Sequence, residues 1–130
     1  MRVSRAKSST HTPPRAATSS TPRTPTYSVE HGRSETIIGR WVADRRNREQ
    51  IVLATKVGGG HGEVRNLRAE TIEREARASL ERLQTNRIDL YYAHFDDEQT
   101  PLEESLRAFD ALVRAGTVRH LGASNYSPRR

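Results

Sequence analysis

The chain contains no cysteine, one tryptophan and one methionine, and only 5% of its 130 residues are aromatic. Without cysteine it can form neither a disulfide framework nor a thiolate zinc site. This fits a reducing compartment, and we expect a cytoplasmic protein. No apolar run approaches the length that spans a bilayer, so we expect no membrane partner. An apolar content of 33% supplies the core of one modest domain.

Acidic residues are absent from positions 1–26, although these positions carry most of the net charge of +6. Four arginines and one lysine give this segment a charge of +5, so the rest of the chain is nearly neutral. Fifteen of the 26 residues are Ser, Thr or Pro. Such a composition cannot offset the entropy that is lost on ordering. We therefore interpret residues 1–26 as a disordered basic arm and residues 27–130 as the folded part.

From residue 34 onward, the apolar pattern alternates between helical and strand periods. It predicts helices over residues 34–45, from about 66 and from about 100, and strands over residues 50–57, 88–93 and 118–124. The run from Ile51 to Ala54 is typical of a strand covered on both faces. Single helices between strands imply parallel βαβαβ units and an α/β fold. Periodicity alone leaves both a barrel and an open doubly wound sheet as alternatives.

The second and third helices each show an apolar stripe. These stripes are Ile72, Ala76, Leu80 and Leu83 in one helix, and Leu102, Leu106, Phe109 and Val113 in the other. Thr100, Pro101 and Glu103 predict a capping box at the start of the third helix. Gly116 is placed to end it in a left-handed conformation.

Polar or ionisable residues follow three of the strands, and they are Lys56, His94 and the pair Ser124 and Asn125. Because parallel strands end at the same edge of a sheet, we expect these side chains to converge. Singly, Lys56 is explained by a solvated strand end, His94 by a structural role and Asn125 by a turn. Together they predict a site in which Ser124 and Asn125 suit a carboxamide.

Other polar clusters predict no further site. Gly58, Gly59 and Gly60 lack the residues of a phosphate-binding loop and are better explained as a flexible loop. The histidines show no metal-ligand spacing, and we expect no metal.

The residues resemble the aldo-keto reductase family in four segments, which occur in the family's order and with matching spacing. The segments are Tyr27-Ser-Val-Glu-His-Gly-Arg-Ser-Glu35, Val52-Leu-Ala-Thr-Lys-Val57, Arg87-Ile-Asp-Leu-Tyr-Tyr-Ala-His94 and Gly122-Ala-Ser-Asn125. The resemblance covers about four-fifths of the chain. It implies a partial (β/α)8 TIM barrel, truncated after the fifth barrel strand, from a family that reduces aldehydes and ketones with NADPH.

The resemblance also implies a role for each site residue. Tyr27 is similar to the general acid that protonates the carbonyl oxygen, and Lys56 to the cation that lowers the tyrosine's pKa. His94 is similar to the group that orients the carbonyl. Ser124 and Asn125 are similar to the pair that binds the nicotinamide carboxamide of NADP(H).

One departure from the family pattern lies at Pro22, where the family's D-x-A-x-x-Y motif has an aspartate five residues before the tyrosine. Its absence deprives Lys56 of the usual ion-pair partner. We hypothesise that the arm is out of frame, because suitable codons for Ala16 to Pro25 regroup to encode G-G-N-F-I-D-T-A-D-T. Sequencing of the locus tests this.

Three interpretations follow. The chain is an NADPH-dependent reductase of small carbonyl substrates, a non-catalytic barrel fragment that self-associates through open edges, or a nucleic-acid binder through its basic arm. We favour a reductase-like fragment without activity as it stands. No aromatic stacking platform or recognition helix accompanies the arm, so we do not expect nucleic acid as a partner.

Overall fold

The computed structural model describes residues 32–59 and 66–127, in which helices and strands alternate. The elements are α1 (Arg33–Arg45), a 3-10 turn (Arg48–Gln50), β1 (Ala54–Val57), α2 (Ala69–Leu83), β2 (Ile88–Ala93), α3 (Leu102–Arg114) and β3 (Val118–Ala123). The predicted alternation of elements is confirmed. The proposed arm at residues 1–26 lies outside the described residues.

The three strands form a parallel sheet in the order β1-β2-β3. In the pairing register, Lys56 lies opposite Tyr92, and Tyr92 lies opposite Gly122. Each strand is followed or preceded by a helix on the same side, as right-handed βαβ crossovers require. The predicted parallel βαβαβ units are therefore confirmed.

The core lies between the helices and one face of the sheet. It is built from residues of α2, α3 and all three strands, including Ile72, Ala76, Tyr91, Phe109 and Val118. The rings of Tyr91 and Phe109 meet edge to face at 5.7 Å, a favoured aromatic geometry. Burial raises the pKa of Tyr91, whose hydroxyl donates a hydrogen bond to the Ile72 carbonyl at 3.2 Å. Tyr91 is thus a core residue.

Two predictions about β1 are wrong. The strand begins at Ala54, since residues 48–50 form a 3-10 turn, and it is not covered on both faces. Ala54 and Lys56 are exposed while Val57 is buried, and the side chain of Val52 is 77% exposed. Among the described residues, helices cover one face of β1 only. An apolar run therefore occurs in a strand whose second face is open.

The start of α3 also differs from the prediction. The helix begins at Leu102 after Pro101, and no side chain caps its first turn. Instead of capping the helix, the side chain of Thr100 hydrogen-bonds to the Asp97 carboxylate. Asp97 also accepts the N–H groups of Leu67 at 2.8 Å and Gln99 at 3.0 Å. The capping box is replaced by a loop that is organised around one aspartate.

The predicted stripe of α3 is only partly buried. Phe109 is buried, but Leu102 and Leu106 are 40% and 54% exposed, and the small residues Ser105 and Ala108 are buried in their place. The stripe of α2 is confirmed, with Leu80 partly buried and its other three residues buried. That helix begins at Ala69, three residues after the predicted position.

The end of α3 follows the prediction at Gly116, which adopts φ 74°. The Gly116 N–H donates to the Val113 carbonyl at 3.0 Å, and the Thr117 N–H donates to the Leu112 carbonyl at 3.0 Å. Both bonds satisfy carbonyl groups that the last helical turn leaves without partners. The chain can therefore turn directly into β3.

Candidate functional site at the carboxyl end of the sheet

The carboxyl ends of β2 and β3 are joined to their neighbours by backbone hydrogen bonds that continue past the strands. The His94 N–H donates to the Val57 carbonyl at 2.9 Å, and the Ser124 N–H donates to the Ala93 carbonyl at 2.9 Å. These bonds fix His94 and Ser124 at one edge of the sheet. The convergence predicted for the strand ends is therefore present for these two residues.

Asn125 forms hydrogen bonds to this edge of the sheet. Its Nδ2 group donates to the His94 carbonyl at 2.7 Å and to the Ser124 hydroxyl oxygen at 3.0 Å. The residue adopts φ 58°, a left-handed conformation that asparagine tolerates better than most residues. The turn after β3 thus holds Ser124 and Asn125 together against β2.

Lys56 lies on the face of the sheet that the helices leave open. Side chains alternate along a strand, so the paired residues Lys56, Tyr92 and Gly122 share the face opposite to Val57 and Ala93. Lys56 is exposed. Within residues 32–59 and 66–127, no carboxylate forms an ion pair with it. In the described part of the chain, the ammonium group therefore has no acidic partner.

His94 is half-buried, and its ring lies 4.4 Å from that of Phe95 between centroids. Gly59 gives it space, because a Cβ atom at Gly59 would come within 2.0 Å of the His94 Nδ1 atom. The glycine-rich segment was interpreted as a flexible loop, and this packing role was missed. The only available signal was the proximity of the loop to the end of β1.

Tyr27 lies outside the described residues, so its position relative to Lys56 and His94 stays a prediction. The structure brings together His94, Ser124 and Asn125, and it places Lys56 on the same half of the sheet. This arrangement provides a hydroxyl, a carboxamide, an imidazole and an ammonium group. Such a set can bind polar groups of a ligand without a metal.

The opposite end of the sheet contains a charge network that the sequence did not reveal. The buried carboxylate of Asp89 accepts the Leu53 N–H at 2.9 Å and pairs with Arg48 at 2.8 Å and Arg87 at 3.5 Å. Arg119 lies 3.7 Å away. Burial alone would raise the pKa of Asp89, but the hydrogen bonds from Leu53 and Arg48 outweigh it and lower that pKa below its ordinary value.

A second network joins α1, α2 and β1 through Glu35. Its carboxylate accepts a short hydrogen bond from the Thr55 hydroxyl and pairs with the Arg82 guanidinium at 2.6 Å. Burial would raise the pKa of Glu35, but these hydrogen bonds lower it. The sequence analysis did not predict an ion pair between Glu35 and Arg82. Their pairing depends on how α1 and α2 pack, which periodicity does not specify.

Parallel βα units in sequential strand order, with polar side chains collected at one end of the sheet, are typical of part of a (β/α)8 barrel. A model of the aldo/keto reductase family matches residues 24–130, and the chain belongs to this family. Within the described residues, no helix is long and apolar enough to cross a membrane.

Named relatives agree with this assignment. The chain is 41% identical over 104 residues to the uncharacterised oxidoreductase YrpG of Bacillus subtilis, covering 74% of this chain and 32% of the relative. It is 37% identical over 103 residues to norsolorinic acid reductase A of Aspergillus parasiticus, covering 72% and 26%. The chain thus spans about a third or less of the length of these relatives.

Solved structures support the partial barrel. The holo form of aldo-keto reductase AKR11C1 from Bacillus halodurans superposes with a TM-score of 0.67 at 35% identity, covering 75% of this chain and 34% of that one. The glycerol dehydrogenase AKR11B4 from Gluconobacter oxydans gives a TM-score of 0.67 at 38% identity, with 75% and 32% coverage. The predicted fold, a portion of a (β/α)8 TIM barrel, is confirmed.

Proposed function

We propose that the protein to which these residues belong reduces aldehydes or ketones to alcohols with NADPH, and that this chain contributes the part that binds the nicotinamide and the carbonyl group. The observation that carries the proposal is the hydrogen-bonded edge of His94, Ser124 and Asn125. When bound, NADPH supplies the hydride. Family membership supports this reaction class.

The donor set at the edge fits a carboxamide. A carboxamide presents one acceptor oxygen and two N–H donors, so its partner needs a donor and an acceptor. Asn125 uses its Nδ2 donors on His94 and Ser124, which leaves its Oδ1 atom as an acceptor. The Ser124 hydroxyl accepts from Asn125 and keeps its own proton for donation. Ser124 and Asn125 would therefore hold the nicotinamide carboxamide.

The remaining residues have roles in carbonyl binding and proton transfer. His94 would donate a hydrogen bond to the carbonyl oxygen and orient it toward the nicotinamide. Tyr27 would donate a proton to the same oxygen as the alcohol forms, with the charge of Lys56 lowering the pKa of the phenol. The proposed substrate class is a small carbonyl compound. The proposed location is the cytoplasm, which the absence of cysteine supports.

As it stands, the chain is proposed to bind the nicotinamide without turning over. Lys56 has no carboxylate partner among the described residues, and Pro22 occupies the position of the family's aspartate. Without that carboxylate, no acid among the described residues fixes the position of the ammonium group. A misplaced cation would leave Tyr27 a poor acid at neutral pH.

The experiment is a titration of the whole chain with NADPH, followed by nicotinamide fluorescence. We expect saturable binding, and at least about tenfold weaker binding for the double variant Ser124→Ala, Asn125→Gly. The matched control is Asn86→Ala, an exposed asparagine at the other end of the sheet. No binding by the wild type would overturn the binding proposal, and unchanged binding by the double variant would overturn the residue assignment.

An aldehyde-reduction assay on the same preparation tests the second half of the proposal. We expect no NADPH oxidation above the protein-free rate with a small aromatic aldehyde. Turnover that Tyr27→Phe abolishes would show that the chain is an active reductase, contradicting the proposed role of Pro22.

A further inference from the structure

Leu67, which precedes α2, is bound through both of its backbone groups by the segment that follows β2. The Asp97 carboxylate accepts the Leu67 N–H at 2.8 Å, and the Ser105 hydroxyl donates to the Leu67 carbonyl at 2.7 Å. Leu67 and Ser105 are both buried. A buried backbone group without a partner costs free energy, so both bonds matter. Together they hold residue 67 against the loop after β2 and the first turn of α3.

The side chain of Leu67 continues this contact to the end of β1. A Cβ atom at Gly58 would lie 2.8 Å from the Leu67 Cδ2 atom, so the two residues are in close contact. Gly59, the next residue, packs against the ring of His94 in the same way. Close-packed groups transmit displacements to their neighbours. The position of Leu67 therefore influences where Gly58 and Gly59 lie, and through them the space that is left for the His94 ring.

Asp97 also orders the loop in which His94 lies, three residues before it. Its Oδ1 atom accepts the N–H groups of Gln99 at 3.0 Å and Thr100 at 3.4 Å, while its Oδ2 atom accepts that of Leu67. Both carboxylate oxygens are thus in use, and their charge strengthens the bonds. Burial would raise the pKa of Asp97, but these hydrogen bonds and one from the Thr100 hydroxyl lower it below its ordinary value. The carboxylate is therefore ionised at neutral pH.

We propose that Asp97 is a positioning residue for His94. It fixes both the loop that carries the imidazole and, through Leu67, the end of β1 that packs against it. This inference rests on the proposed function, in which His94 orients the carbonyl group of the substrate. A group of that kind is effective only when it is held in place, since a displacement of about 1 Å can cost on the order of 100-fold in rate.

A purely structural role for Asp97 predicts a different result from a positioning role. If Asp97 only stabilises the two loops, its substitution lowers the free energy of unfolding but leaves the His94 ring in place in the folded chain. The ring itself must therefore be observed. It lies 4.4 Å from the Phe95 ring between centroids. Because an aromatic ring shifts the resonances of nearby nuclei, the NMR signal of the imidazole reports where it lies relative to Phe95.

The test is the NMR spectrum of the imidazole groups in the whole chain without ligand, with the His94 signal assigned by its loss in His94→Gln. Asp97→Asn keeps the shape of the side chain but offers one acceptor oxygen where the carboxylate has two. We expect its His94 signal to move toward the position in the urea-unfolded chain, while the signal of the exposed His120 stays. The Leu67 amide should exchange at least about tenfold faster, because it loses a bond to a charged group. Ser105→Ala, which frees the Leu67 carbonyl, should move the His94 signal in the same direction.

Three controls separate position from charge and from stability. Glu98→Gln removes a charge from an exposed residue of the same loop and should leave the His94 signal unchanged. Asp89→Asn removes a buried carboxylate at the other end of the sheet and should also leave it unchanged in the folded chain. Gly59→Ala places a methyl group against the His94 Nδ1 atom and should move the signal directly. This last variant shows that the signal responds to displacement of the ring.

An unmoved His94 signal in folded Asp97→Asn would overturn the positioning role, and so would an equal movement in Asp89→Asn. If Asp97→Asn does not fold, Ser105→Ala decides by the same criterion. These spectra are recorded without ligand, so they do not depend on the binding of NADPH. A wild type that binds no NADPH contradicts the proposed function, whereas a His94 signal that moves in Asp97→Asn still shows that Asp97 positions the ring.

Discussion

The two ends of the three-stranded sheet differ in how their charged side chains are buried and paired. At the amino end, the Asp89 carboxylate is buried and pairs with Arg48, Arg87 and Arg119. At the carboxyl end, Lys56 is exposed, and no carboxylate in the described part of the chain pairs with it. In barrel enzymes, residues at the first end serve stability and those at the second serve ligands. This difference predicts that substitutions at the amino end lower the free energy of unfolding far more than substitutions at the carboxyl end.

The amino end should be the more sensitive to loss of charge. Asp89→Asn keeps the shape of the side chain but leaves Arg48 and Arg87 without their buried anion. We expect the free energy of unfolding to fall by on the order of 3 kcal/mol, as for other broken buried ion pairs. Chemical denaturation measures it. Asp44→Asn, an exposed residue of α1, is the control, and equal loss in both variants would contradict the comparison.

Low pH should abolish the difference in unfolding free energy between the wild type and Asp89→Asn. The folded pKa of Asp89 is lowered from its ordinary value of 3.8. Its contribution is therefore complete above the unfolded pKa and is lost as pH falls through the folded one. The gap in unfolding free energy between wild type and Asp89→Asn should stay constant from pH 7 to about 5 and shrink below about 4. A gap that persists at the lowest pH would mean that the carboxylate charge is not the cause.

At the carboxyl end, Asn125→Gly should have a small effect on stability. Glycine loses the hydrogen bond to the His94 carbonyl, a net contribution of about 1 kcal/mol. It also adopts φ 58° without the steric cost that other residues bear. We expect a change within about 1 kcal/mol by chemical denaturation. Asn125→Ala loses the same hydrogen bond and also bears the steric cost of φ 58°. It should therefore be the less stable of the two variants.

The sequence predicted the elements better than their surroundings. Alternating periods located all three strands and helices, because local spacing determines them. The strand ends pointed to His94, Ser124 and Asn125, which the structure brings together, and their role in a site stays a prediction. Burial was harder. Leu102 and Leu106 belong to an apolar stripe but line an open groove between α3 and β3. Periodicity shows that a helix has an apolar side and not which neighbour covers it.

The long-range charge pairs also could not be predicted from the sequence. Arg48, Asp89 and Arg119 come from three separate segments, and only the register of the sheet brings them together. A hint was present in Asp89, a lone acid inside the apolar strand Ile88–Ala93. A buried acid needs cationic partners, but a chain with twenty arginines does not identify which ones.

The smallest effect on stability is expected at Lys56. Lys56→Met retains most of the length of the side chain and removes a charge that is exposed and has no acidic partner among residues 32–59 and 66–127. Surface substitutions of this kind change the free energy of unfolding by no more than about 0.5 kcal/mol. Arg48→Met, at the amino end, is the matched variant, and it should cost far more because it removes the nearest cation from the buried Asp89 carboxylate. A large loss of stability in Lys56→Met would mean that Lys56 is part of the packed structure, and the two ends of the sheet would then not differ as proposed.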